Sequence, residues 1–75
     1  MIHMEGRVSV LAALLARKRR IQVVLVKHDL PAVKAQDILD AAAAAGVPVR
    51  RADSAELAAM AHGASHGGVI AVCSP

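Results

Sequence analysis

His62-Gly63-Ala64-Ser65-His66-Gly67-Gly68 runs directly into Val69-Ile70-Ala71-Val72, and the reading of this junction decides the fold. Three glycines and three polar side chains within seven residues exclude a stable helix, because glycine loses the most backbone freedom when it is ordered. The stretch is a loop. The apolar, mostly β-branched residues after it have the length of a buried strand, which would hold the loop at a sheet edge on a rigid element. Loops held in this way commonly carry function. This one offers backbone N–H groups, two imidazoles and a hydroxyl, which suit phosphates, sugar hydroxyls and base edges.

Upstream, Ile21-Gln22-Val23-Val24-Leu25-Val26 is nearly all apolar and reads as a central parallel strand covered on both faces. Lys27-His28-Asp29 follows at its carboxyl end, where open parallel sheets bind ligands, although a strand-to-helix turn is polar in any case. Pro31 opens a helix with Ala35, Ile38, Leu39 and Ala42 on one face, and Gly46 ends it. Val47-Pro48-Val49 is a short strand, with Pro48 at an edge or a strand start, and Arg50-Arg51 turns outward. Asp53-Ser54-Ala55-Glu56 has the form of a capping box, in which Asp53 accepts from helix amides and Glu56 reaches back. The short helix behind it carries Leu57, Met60 and Ala61 and stops at Gly63.

Near the amino terminus, Val8, Leu11, Ala12 and Leu15 follow the i, i+3, i+4, i+7 spacing of one helix face, while Val10, Ala13 and Leu14 widen the apolar stripe. Arg17-Lys18-Arg19-Arg20 then lies where a helix carboxyl terminus favours cations. A solvated cap is one reading of that run, and a phosphate-contacting patch is the other. Met1-Ile2-His3-Met4 is too short and too uncharged for a signal peptide and reads as start-site residues. The order helix, strand, helix, strand, helix, strand predicts an α/β domain of three layers, α/β/α, with a mainly parallel central sheet.

Seventy-five residues allow a single domain, and at this size stability is marginal without a partner. The absence of Phe, Trp and Tyr means that the core is built from Val, Leu, Ile, Ala and Met. Cys73 is the only cysteine, so no internal disulfide forms and a reducing, cytoplasmic setting is expected. No window has the apolar length of a membrane span. A formal charge of +3 permits association with polyanions without requiring it.

Glu5-Gly6-Arg7 entering a helix with Val10 and Ala13-Leu14, the strand Val23-Val24-Leu25-Val26, the turn Ala45-Gly46-Val47-Pro48-Val49, residues 53–57, and Ser65-His66-Gly67-Gly68-Val69-Ile70-Ala71 together resemble one family. It is the amino-terminal substrate-binding domain of SpoU-type RNA ribose 2′-O-methyltransferases, and the resemblance spans residues 5–72. It implies a fold similar to the ribosomal proteins that bind kink-turn RNA, and residues 1–75 as an RNA substrate-binding domain that holds ribosomal or transfer RNA. Catalysis, with S-adenosylmethionine, would belong to a separate knotted domain that this chain does not include, so no catalytic residue and no cofactor is expected here. The family commonly places a glutamine after the loop histidine. Gly67 stands there instead, which removes a side chain able to read a base or sugar.

Arg7, Lys27, His28, Lys34, His62, Ser65, His66 and Gly68 are the candidate RNA contacts. Arg7 opens a helix whose free amides attract phosphate. Lys27, His28 and Lys34 belong to one end of the expected sheet, and His62, Ser65 and His66 offer donors to phosphate or to the 2′-hydroxyl that marks RNA. Without aromatic side chains there is no stacking platform for single-stranded bases, so shape, phosphates and sugars of folded RNA would be read. Each candidate also has a plain reading as a solvated polar side chain. A metal site on His62 and His66 is disfavoured by the glycines that break their helical spacing. Cys73 reads as a small packed hydrophobe. A nucleotide-binding glycine loop would follow a strand, whereas this one precedes it. The rival to RNA recruitment is a homodimerisation module that uses the apolar face of the first helix, with Leu14→Asp as the change expected to break it.

Overall fold

A computed structural model describes residues 1–63 and 66–75, as β1 (Ile2–Glu5), α1 (Arg7–Ala16), β2 (Ile21–Lys27), α2 (Ala32–Ala45), β3 (Val49–Ala52), α3 (Ser54–Met60) and β4 (Val69–Cys73). The four strands form one sheet in the order β1-β4-β2-β3. β2 and β3 are parallel, whereas β4 runs antiparallel to both β1 and β2. The sheet is therefore mixed, which corrects the expectation of a mainly parallel one.

The course of α3 explains the reversal. It leaves β3 at Ala52, its last carbonyl, that of Met60, lies 3.2 Å from Nδ1 of His3 in β1, and His62 bonds to Glu5. So α3 crosses the sheet from one edge strand to the other instead of running back along the strands. Seven residues span about 10 Å, about two of the three spacings of roughly 4.8 Å between the edge strands, and residues 61–62 cover the remainder. The chain consequently re-enters the sheet at the end it had just left. β4 is thus an inner strand, buried at every residue as its apolar sequence predicts.

The expectation of start-site residues at 1–4 is corrected, since residues 2–5 form β1; four residues with a histidine and a glutamate among them carry no alternation signal. The pairing of Ile2 with Cys73 through Glu5 with Ile70 is what makes it a strand. The short strand expected at 47–49 begins at Val49 instead and includes Arg50 and Arg51, while Pro48 contributes its carbonyl to the amide of Val24.

Side chains alternate across β2 and β4 as the pleat requires. Val24, Val26, Val69, Ala71 and Cys73 pack with Val10 and Leu14 of α1 and Ala35, Ile38 and Ala42 of α2. Leu25 and Ile70 pack with Ala52 and with Leu57 of α3. On α1 the expected face is corrected: Val8 is 84% and Leu15 68% exposed, and Val10 and Leu14 are the buried pair. Asp53 caps α3 as expected, accepting from the amide of Glu56 at 2.8 Å. Glu56 does not reach back, because its carboxylate is taken by the Arg50 guanidinium at 2.6 and 3.2 Å. The helix ends at Met60, before Gly63. Among the described residues no helix is long and apolar enough to cross a membrane.

Candidate functional site

β2 and β3 end, β4 begins and β1 ends at the same end of the sheet, as the pairs Lys27 with Ala52, Val26 with Val69 and Glu5 with Ile70 require. α1 and α2 both start there. They lie side by side and point the same way, since Arg7 at the start of α1 donates from Nε to the Lys34 carbonyl at 2.8 Å, and Arg17 just past its end donates to the Ala44 carbonyl at 3.0 Å. Neither helix has a side-chain cap or an acidic residue in its first turn. Two sets of unpaired amide donors, with the positive ends of two helix dipoles, therefore meet at one surface.

The turn before β4 is packed against that surface. Gly67 and Gly68 adopt φ of +60° and +80°, the left-handed region that favours glycine. Gly68 bridges the turn to β2, its carbonyl accepting from the Lys27 amide at 2.8 Å. Its amide donates to Nδ1 of His66 at 3.0 Å, so a neutral His66 carries its proton on Nε2. A hollow opens between this turn and the start of α2, lined by Lys27, Asp29, Leu30, Pro31, His66 and Gly68. Arg7 closes its flank, with Cγ 4.0 Å from where a Cβ on Gly67 would stand.

Lys27, His66 and Gly68 thus line one hollow, Arg7 stands beside its glycine turn, and Lys34 is brought to this end by its carbonyl, which Arg7 holds. Two candidates stand apart from it. His62 is tied to β1, because its amide and Nδ1 lie 2.7 and 3.0 Å from the same Glu5 oxygen. The amide holds the Glu5 carboxyl below its ordinary range. His28 is exposed on the turn after β2 and bonded through its amide to the Ala52 carbonyl. Ser65 lies outside the described residues.

Two residues of this end carried no sequence signal of their own. Arg51 donates from Nη1 to the Lys27 carbonyl at 3.0 Å, a contact that depends on the register placing it opposite Val26. Glu5 anchors the loop across 57 residues of sequence. Lys27 also pairs with Asp29 at 3.5 Å, an exposed contact that leaves its charge available. Among the described residues no three His, Cys, Asp or Glu side chains gather as a metal site requires. Burial raises the Cys73 thiol above its ordinary value, against a role as a nucleophile.

The family model described as RNA 2′-O ribose methyltransferase substrate binding matches residues 4–75. A solved structure of a protein of unknown function from Bacillus halodurans C is similar, with a TM-score of 0.74 and 19% identity over 96% of this chain and 71% of that one. At that identity the likeness concerns the fold alone. No curated protein matches the chain.

Proposed function

The chain belongs to the RNA 2′-O ribose methyltransferase substrate-binding family, and from that premise we propose that the end formed by Arg7, Lys27, Lys34 and the His66 turn binds folded RNA. The domain holds a ribosomal or transfer RNA for a methyltransferase domain that supplies S-adenosylmethionine and the catalytic groups. Its own part is binding and orientation. The observation that carries this reading is the meeting of two uncapped, acid-free helix starts with Lys27 in the lining of a hollow and Arg7 beside its glycine turn. Phosphates gain from amide donors and helix dipoles in that arrangement, and a neutral His66, with Nδ1 occupied by the Gly68 amide, can donate from Nε2 to a phosphate or 2′-hydroxyl oxygen.

Fluorescence anisotropy against a ribosomal RNA stem-loop, a transfer RNA and a DNA duplex, each at two salt concentrations, tests the reading. RNA is expected to bind more tightly than DNA. Arg7→Ala with Lys34→Ala should lower the salt dependence of log Kd by about 1.5, as the loss of two phosphate contacts requires. Equal binding to all three nucleic acids, or an unchanged slope in the double variant, would refute it.

Self-association is a second reading, and the exposure of Val8 and Leu15 along α1 favours it. Sedimentation equilibrium of Leu15→Asp against the natural chain separates the two. A dimer lost in the variant supports self-association, and a monomer in both excludes it.

A further inference from the structure

We propose that the turn at residues 17–20, at the opposite end of the domain, is a second contact for RNA phosphates. This rests on the RNA-binding reading and extends it to a surface outside the hollow already described. Four of the nine lysines and arginines stand in this one turn, which leaves five cations against six carboxylates over the rest of the chain. The net positive charge of the domain therefore comes from this turn. The RNA-facing end is locally balanced by Glu5, Asp29 and Asp53, and Lys27 there has an acidic partner.

The fold uses only one of the four. α1 ends at Ala16, and Arg17 takes the left-handed cap at φ +53°, its amide donating to Ala13 and its guanidinium to the Ala44 carbonyl at the end of α2. Stabilisation of the helix ends accounts for Arg17. Lys18, Arg19 and Arg20 lie beyond the helix, are exposed, and form no ion pair and no side-chain hydrogen bond among the described residues. Adjacent like charges repel; the carboxyl ends of α1 and α2 offset part of that cost through their dipoles, but among the described residues no carboxylate side chain pairs with Lys18, Arg19 or Arg20.

The surface between these cations is concave. A hollow lies between the turn, the end of α1 and the loop after α2, with Ala13, Ile21 and Val47 on its apolar lining and Arg17, Lys18 and Arg20 around it. A hollow of mixed lining, apolar at Ala13, Ile21 and Val47 and cationic at its rim, suits a nucleotide, whose sugar and base are less polar than its phosphate. α1 runs from Arg7 at one end to Ala16 at the other, so the two ends lie about 15 Å apart along the helix, roughly twice the screening length of about 8 Å at physiological salt. Cations at the two ends therefore act as separate anchors, and an RNA that meets both must run along the side of the domain.

The test uses a fluorescein-labelled RNA stem-loop with an internal bulge, long enough to run that length. Amide shifts are followed by NMR in the natural domain and in Lys18→Ser/Arg19→Ser/Arg20→Ser, which keeps Arg17 and its contact to Ala44. A far-UV circular dichroism spectrum checks folding, and Lys18→Ser/Arg19→Ser serves if the triple variant fails that check. We expect shifts at residues 18–21 and 46–47 as well as at the His66 turn, and in the triple variant loss of the first set alone. The salt dependence of log Kd should then fall by about 2 to 3. Shifts confined to the His66 end, with an unchanged slope in the variant, would overturn this inference and leave the RNA-binding reading standing. Shifts confined to residues 18–21 and 46–47 would uphold it and refute the role of the His66 end. An absence of binding by the natural domain overturns both.

Discussion

Gly68 holds the candidate site together through its backbone, with its amide to His66 and its carbonyl to Lys27. At φ +80°, a Cβ there would stand 3.2 Å from Cβ of Lys27, whereas Gly46 at φ +71° faces open space. Both substitutions incur the left-handed penalty of roughly 1 to 2 kcal/mol, but only Gly68→Ala adds a clash. Urea denaturation should show Gly68→Ala losing about 2 kcal/mol and Gly46→Ala about 1 kcal/mol. Equal losses would mean that the contact to β2 contributes nothing. Glu5 allows a pH experiment. Its carboxyl is depressed chiefly by the His62 amide, so its contribution is present above the unfolded value and is lost as pH falls through the lower folded value. The His62 amide should show an acid titration step below the ordinary glutamate range, absent in Glu5→Gln. Of these residues the turn glycines and His66 were legible in the sequence. The Glu5 contact was not, because it joins positions 57 apart.

At the scale of the element, α2 was readable nearly to the residue: Ala35, Ile38 and Ala42 are buried and Gly46 caps the helix. Its polar residues leave a single apolar face. α1 is different, for Arg7–Ala16 is apolar on all sides and periodicity alone cannot choose the inward face. Packing against Val24 and Val69 chose Val10 and Leu14. Leu14→Ala should therefore cost about 2 to 5 kcal/mol, and Leu15→Ala no more than about 0.5 kcal/mol, as judged from thermal or urea unfolding. Comparable losses would reverse the assignment of the inner face. Leu14→Asp, the expected test of dimerisation, is a test of folding instead, and Leu15→Asp replaces it. The capping box at α3 was half legible. Asp53 serves locally, but Glu56 was claimed by Arg50 of β3, a neighbour only in the folded sheet.

For the whole molecule, β2 and β4 form the inner pair of the sheet, and exchange of their amides is expected to require global unfolding. An RNA that binds the folded state alone, present at a hundred times its Kd, should slow exchange of those amides about a hundredfold. Slowing limited to the His66 turn would indicate local ordering without that linkage. The sequence by itself determined the α/β class, α2 and its cap, the two inner strands and the glycine turn, because periodicity, glycine and proline act within a few residues of themselves. Only the tertiary structure decided that β4 runs antiparallel, that residues 2–5 are a strand, which face of α1 is buried, and that Arg7 stands beside the glycine turn that packs on Lys27. Those outcomes depend on strand pairing and on the path of α3 across the sheet. Both are set by contacts between residues far apart in the chain, and no local pattern encodes them.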